Sequence, residues 1–128
     1  MVVSVASKVD YAGSPTPSGL SVETTLVNPP VQTVDAYIEG YVSLQNMQSG
    51  DIVVVTEYVA VDGTNYEILN QQTYTDVPPS PAVRFSGKLV GPIANGAGGG
   101  MRWKATVNQT AGTVRAFPYS ATLLVLNS

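Results

Sequence analysis

Cysteine and histidine are both absent from this chain. The first absence removes disulfides and thiolate metal sites, the second removes imidazole acid–base chemistry, and together they exclude the Ser-His-Asp and Cys-His nucleophilic arrangements. Charge is scarce too. Six basic and nine acidic residues make up 12% of the 128, where about 25% is usual, so copies of this surface repel one another weakly. No apolar run approaches the roughly 18 residues of a membrane helix, and none keeps the i, i+3, i+4, i+7 spacing of an amphipathic helix. The opening MVVSVASKVD has no basic segment ahead of its short apolar stretch, so no secretory signal peptide is expected.

What the chain has instead is period-two alternation. Between residues 34 and 45, Val34, Ala36, Ile38, Gly40, Val42 and Leu44 share one face, and Asp35, Tyr37, Glu39, Tyr41, Ser43 and Gln45 the other. Residues 101–108 repeat this, with Met101, Trp103, Ala105 and Val107 inward and Arg102, Lys104, Thr106 and Asn108 outward. Eight strands follow, near 2–9, 20–27, 32–45, 52–61, 65–75, 82–90, 101–108 and 114–126. Asp62-Gly63, Ser49-Gly50-Asp51 and Ala111-Gly112-Thr113 read as tight hairpins. Asn28-Pro29-Pro30 and the proline-rich 77–81 cannot donate ladder hydrogen bonds and mark crossings between sheets. The expected fold is all-β: one domain over 1–128, an antiparallel two-sheet sandwich of the jelly-roll kind, with an immunoglobulin-like sandwich as the alternative.

The two halves, 1–63 and 64–128, look related. At an offset of 63, Tyr11 meets Tyr74, Pro15 meets Pro78, Leu26-Val27 meets Leu89-Val90, and Pro29 meets Pro92. The charge changes sign between them. The first half holds seven acids and Lys8, the second five bases and two acids. Glu39 aligns with Arg102, so Asp35 and Glu39 on one face and Arg102 and Lys104 on the equivalent face are expected to meet head to tail between subunits. Arg84 and Lys88, on another outward face, are likewise expected to pair with Glu23, Asp35 or Glu39 of a neighbour, with intramolecular pairing or solvation as the alternative.

Other constellations carry less. Asp35 and Glu39 lie about 13 Å apart along one strand, too far to flank one glycosidic bond; Glu57 and Glu67 are the remaining carboxylate candidates. Asp51, Asp62 and Asp76 sit at loop edges without the array of a calcium loop, and the glycine run 96–100 lacks the lysine of a phosphate loop. No catalytic residue, metal ligand or cofactor is expected, and the bases are too few, with too little exposed aromatic surface, for nucleic acid. Tyr37 and Tyr41 flank Glu39 on an outward face, as a sugar-stacking platform or an interface anchor would. The last strand is apolar on both faces, which makes Leu124 and Leu126 candidates for burial against a neighbour.

The stretch Trp103 to Phe117, WKATVNQTAGTVRAF, resembles small β-rich virion proteins, especially of archaeal viruses. That resemblance implies a capsid, decoration or appendage subunit in a symmetric assembly and carries no site residue with it. The expectation is therefore a non-enzymatic, self-assembling subunit of a virion or extracellular filament, with homo-oligomeric or other virion partners and no membrane association. A carbohydrate- or receptor-binding module is the alternative. Residues 2–9 are expected to pair at a sheet edge of their own subunit, with exchange into a neighbour's sheet as the variant.

Overall fold

A computed structural model describes residues 4–32, 34–89 and 101–127. Eight strands are present: β1 (Ser4–Gly13), β2 (Thr24–Val27), β3 (Ala36–Ser43), β4 (Ile52–Ala60), β5 (Glu67–Thr75), β6 (Ala82–Leu89), β7 (Arg102–Ala111) and β8 (Tyr119–Asn127). They form two antiparallel four-stranded sheets. Sheet A has the order β1-β8-β3-β6 and sheet B the order β2-β7-β4-β5, which is the double Greek-key order of a jelly roll. Advancing every strand number by four converts one sheet order into the other, so the strands that the 63-residue offset equates lie in opposite sheets.

The connections follow from local chemistry. Of the three expected hairpins, Asp62-Gly63 is one: Gly63 takes φ 79°, its N–H reaches the Ala60 carbonyl, and the Asp62 carboxylate accepts from the N–H groups of Thr64 and Asn65. The other two glycine turns also need positive φ, 91° at Gly50 and 90° at Gly112, yet they are not hairpins. They carry the chain from β3 to β4 and from β7 to β8, which lie in different sheets. The proline segments also cross between sheets, from β2 to β3 and from β5 to β6. Residues 114–118, expected to open the last strand, belong to no strand, and Pro118 precedes β8. Strand β1 pairs along β8 of its own chain and runs on to Gly13; residues 2 and 3 and the glycine run lie outside the described residues.

Inward positions of both sheets, Leu26, Val27, Ile38, Val42, Val53, Phe85, Leu89, Trp103, Val107 and Leu123, meet in one core with Leu44 and Phe117 of the crossing loops. Phe85 of sheet A lies against Trp103 of sheet B, ring centroids 5.7 Å apart. Gly87 is small for a reason. A Cβ there would come within 2.7 Å of the Trp103 indole, so the glycine makes the room that the core's largest side chain fills.

Buried polar groups gather on and beside β4 and β7. The Asp51 carboxylate, 1% exposed, accepts from the N–H groups of Gln48 and Thr113 and from Arg115 Nε at 2.8 Å. Gln109 holds the same loop through the carbonyls of Ala111 and Thr113 and the N–H of Arg115. With Asp76, whose N–H reaches the Asp51 carbonyl and whose carboxylate accepts from the Gly50 N–H, three crossing loops are fastened without a disulfide. The hydrogen bond and charge of Arg115, helped by the two backbone N–H groups, hold the Asp51 carboxyl below its ordinary range against the opposing effect of burial.

Candidate functional site

Sheet A turns a face outward whose rows are fixed by register. Tyr37 of β3 lies between Lys88 of β6 and Leu124 of β8, Glu39 between Ser86 and Thr122, and Tyr41 between Arg84 and Ser120. Beyond β8, Lys8 stands beside Leu124 and Asp10 beside Thr122. Each outer row holds a tyrosine, and the middle row sets Glu39 between the short hydroxylated side chains of Ser86 and Thr122. An open depression of about 740 Å³ results, centred on the middle row. Tyr37 and Tyr41 are 45% and 49% exposed, and neither hydroxyl has a hydrogen-bond partner among the described residues.

The charges on this face are satisfied within the chain. Arg84 Nη2 lies 3.1 Å from Glu39 Oε2, Lys88 Nζ 4.0 Å from Asp35 Oδ2, and Lys8 Nζ 3.6 Å from Asp10 Oδ1. Arg84 and Lys88 thus reach the very carboxylates expected to come from a neighbour, because β3 and β6 are adjacent in one sheet, an adjacency that strand periodicity does not specify. Glu23 is engaged too. It accepts from the hydroxyls of Tyr58 and Thr106.

Arg102 and Lys104 sit on the outer face of sheet B, as their parity requires, but half-buried. Lys104 Nζ lies 4.5 Å from the Tyr66 ring centroid and 4.9 Å from that of Tyr58, and the Arg102 guanidinium lies 5.9 Å from Tyr66 and 3.3 Å from Asn28 Oδ1. They are packed into their own sheet. Leu124 and Leu126 occupy the outer face of β8 as expected, half-buried, Leu124 between Lys8 and Tyr37.

The edges of the two sheets differ in ways the strand-by-strand reading did not draw out. Strand β2 has four residues. Strand β6 presents Arg84 and Lys88, and its Ser86 N–H is taken by the Glu57 carboxylate, which points inward from β4 and spans the gap between the sheets. Burial raises the Glu57 pKa, against the hydrogen bonds from Ser86 and Asn70. Strand β5 has no such protection. Its nine residues are exposed at every position but Tyr74, Glu67 is its one charge, and Ile68 and Leu69 are 57% and 55% exposed. The signal was in the sequence: ILNQQTYT breaks the alternation of the other strands, as a strand not covered on either face would.

Among the described residues no three His, Cys, Asp or Glu side chains converge as metal ligands. Asp51 is committed to Arg115, Asp62 to its own turn, and Asp76 accepts from the Gly50 N–H.

No protein-family model and no curated protein matches the chain. Solved structures do. A protein of the disulfide-linked pili of Bacillus endospore appendages matches with TM-score 0.53 and 10% identity over 93% of this chain and 87% of that one. The VP2 subviral particle of infectious bursal disease virus gives 0.46 and 15% over 98% of this chain, and a xylan-binding module 0.45 and 10% over 96% of this chain and 88% of that one. This chain spans about a third, 32%, of that VP2 chain. At 10% identity the first likeness is one of fold, and the two below 0.5 support nothing further. The pilus protein's disulfides have no counterpart in a chain without cysteine.

Proposed function

We propose that this protein is a structural subunit that polymerises edge to edge, joining β5 of one copy to β1 of the next in an extracellular filament or a virion coat. The exposed β5 edge carries this reading. Long, nearly uncharged edges are what folded chains avoid unless another strand covers them, and of the four edges β2 is too short and β6 is capped. Strand β1 is the matching partner: ten residues long, exposed at Val5 and Val9, and the counterpart of β5 under the four-strand shift. A β5–β1 contact is head to tail and leaves a free edge at each end, so it propagates. The scarcity of charge, the resemblance to virion proteins and the fold shared with a pilus protein support the same reading.

Light scattering and electron microscopy over a concentration series test it. The wild-type chain should form rings or filaments. Ile68→Lys with Leu69→Lys should give a monomer with an unchanged circular dichroism spectrum. A wild type that stays monomeric at high concentration would sink the proposal, and a discrete dimer abolished by the same variant would replace β5–β1 with a two-fold β5–β5 contact.

A further inference from the structure

We infer that the depression on the outer face of sheet A is a binding site for an uncharged carbohydrate chain, a function separate from edge-to-edge assembly. The inference rests on four features of that face taken together.

The first is its walls. Tyr37 and Tyr41 stand two rows apart on β3, about 13 Å between their α-carbons, and both rings are half exposed; among the described residues only Lys88, 5.8 Å from the Tyr37 centroid, makes a cation or ring contact with either. A pyranose ring offers a flat array of C–H groups that suits an exposed tyrosine face, while the phenol hydroxyl remains free to bond at its rim. Tyr41 also separates the main depression from a second hollow of about 260 Å³ against Pro118 and Tyr119. A linear ligand therefore has somewhere to continue.

The second feature is the floor. Between the tyrosines lie Glu39, Ser86 and Thr122, with Arg84 bound to Glu39. A planar carboxylate and a planar guanidinium, already oriented by each other, present several donors and acceptors at fixed angles. Vicinal hydroxyls, each both donor and acceptor, match that set. A concave surface with aromatic walls and a few oriented polar groups is the common build of a small-molecule site.

The third feature is electrical. Lys8, Arg84 and Lys88 face Asp10, Asp35 and Glu39, three cations against three carboxylates, each paired. Among the described residues of this face no cation is left over to neutralise phosphates or uronates, so nucleic acid and acidic polymers find little attraction here.

The fourth concerns the backbone. The depression lies over β8, β3 and β6; β8 and β3 are interior strands whose N–H and C=O groups are committed to neighbours on each side, and on the edge strand β6 the Ser86 N–H is already taken by Glu57. An extended peptide, which docks on sheets chiefly by main-chain pairing at a free edge, finds its pairing groups committed over β8 and β3 and interrupted at Ser86 on β6.

Affinity electrophoresis of the full chain through gels containing arabinoxylan, mixed-linkage β-glucan, galactomannan or dextran sulfate tests this inference. Retardation by at least one of the three neutral polymers is expected, unchanged by added salt. Tyr37→Ala and Tyr41→Ala should each weaken it by roughly tenfold or more, Arg84→Ala should weaken it as well, and Tyr41→Phe should keep most of it because the ring face remains. Tyr66→Ala, on the opposite sheet, should leave it unchanged. The monomeric Ile68→Lys, Leu69→Lys variant should still be retarded, which separates this site from the assembly edge. Absence of retardation by all three neutral polymers, retardation by dextran sulfate alone, or retardation of the Tyr37→Ala and Tyr41→Ala variants equal to that of wild type would overturn the inference.

Discussion

The outer faces of the two sheets are built from similar parts and put them to opposite uses. Sheet A carries Tyr37, Tyr41, Glu39, Arg84 and Lys88; sheet B carries Tyr58, Tyr66, Arg102 and Lys104, with Glu23 beside them. On sheet B the tyrosines are spent. Tyr58 and Tyr66 meet edge to face, 6.4 Å between centroids at 82°, their hydroxyls go to Glu23 and Asn28, and the Lys104 ammonium sits over both rings. On sheet A each tyrosine is isolated from the other by the low row through Glu39, and its ring stands in solvent. Spacing makes the difference: Tyr58 of β4 and Tyr66 just before β5 close on each other across the Asp62-Gly63 turn, whereas Tyr37 and Tyr41 lie along one strand and cannot touch. Composition names the groups a face holds. Register decides whether they satisfy one another or wait for something else.

The same contrast holds for charge, and it gives the largest expected effect. Asp51 and Arg115, at the loop end next to sheet B, form a pair with a fully buried carboxylate, while every ion pair on sheet A is exposed. Arg115→Ala strands a buried charge and should cost about 3–5 kcal/mol, read as a lower urea midpoint at neutral pH. A loss no larger than that from Arg84→Ala would break the comparison.

Stability should also respond to pH through two carboxylates with opposite signs. The folded pKa of Asp51 is lowered, so its contribution is present above the ordinary carboxylate value and is lost as pH falls through the lower folded one. The folded pKa of Glu57 is raised. Its contribution is complete below the ordinary value, near about 4.3, and is lost as pH rises through the folded one. Glu57→Gln keeps an oxygen acceptor for the Ser86 N–H and removes the cost of burying charge. Thermal melts should therefore show the variant gaining on wild type at pH 7, with the gain shrinking in acid. A gain that is constant with pH would show that Glu57 binds its proton equally well folded and unfolded, so that burial does not shift it.

How far the sequence foretold this arrangement differs by level. Strand number, the inward set of β3 and β7, the proline crossings and the jelly-roll layout were legible because alternation and turn residues are local signals. Hairpin and crossing were not distinguishable at Gly50 and Gly112, since a positive φ at glycine serves either. Whether Arg84 and Lys88 pair within the chain or with a neighbour was not legible because strand adjacency is non-local, and offset 63 suggested a different pairing for the acids. Tyr37, Glu39 and Tyr41 were found on one face by parity alone. The hydroxylated row between the tyrosines needed the register of β6 and β8, and the Glu57 cap on β6 needed the third dimension.

A smaller effect separates the two tyrosine sets. Tyr66→Ala removes an edge-to-face contact, two cation contacts and a hydrogen bond, and should cost about 1–2 kcal/mol. Tyr37→Ala should cost well under about 1 kcal/mol, because its ring supports little of the fold. Equal losses in denaturant midpoint would show that the sheet A tyrosines are structural after all. The same packing bears on the expectation that Arg102 and Lys104 meet acids of a neighbour. Reversing both to Glu places carboxylates against the negative faces of Tyr58 and Tyr66, so a loss of assembly in that variant reports on domain stability as well as on contact between subunits.

The smallest effect concerns the exposed pair Arg84–Glu39, and it distinguishes a face arranged for a ligand from one arranged for stability. Both side chains are more than half exposed, so Arg84→Ala should change the unfolding free energy by only about 0–1 kcal/mol, and less in high salt, where such pairs are screened. The pair nonetheless fixes the orientation of the two groups on the floor of the depression. If it exists for the ligand, Arg84→Ala and Glu39→Ala should each weaken retardation by a neutral polysaccharide while leaving the urea midpoint within measurement error of wild type. The double variant should weaken it little further, since either loss frees the remaining partner to turn away. Full additivity of the two losses in binding would mean that each group acts alone. A stability loss approaching that of Arg115→Ala would move this pair into the same class as Asp51–Arg115 and end the distinction between the two faces.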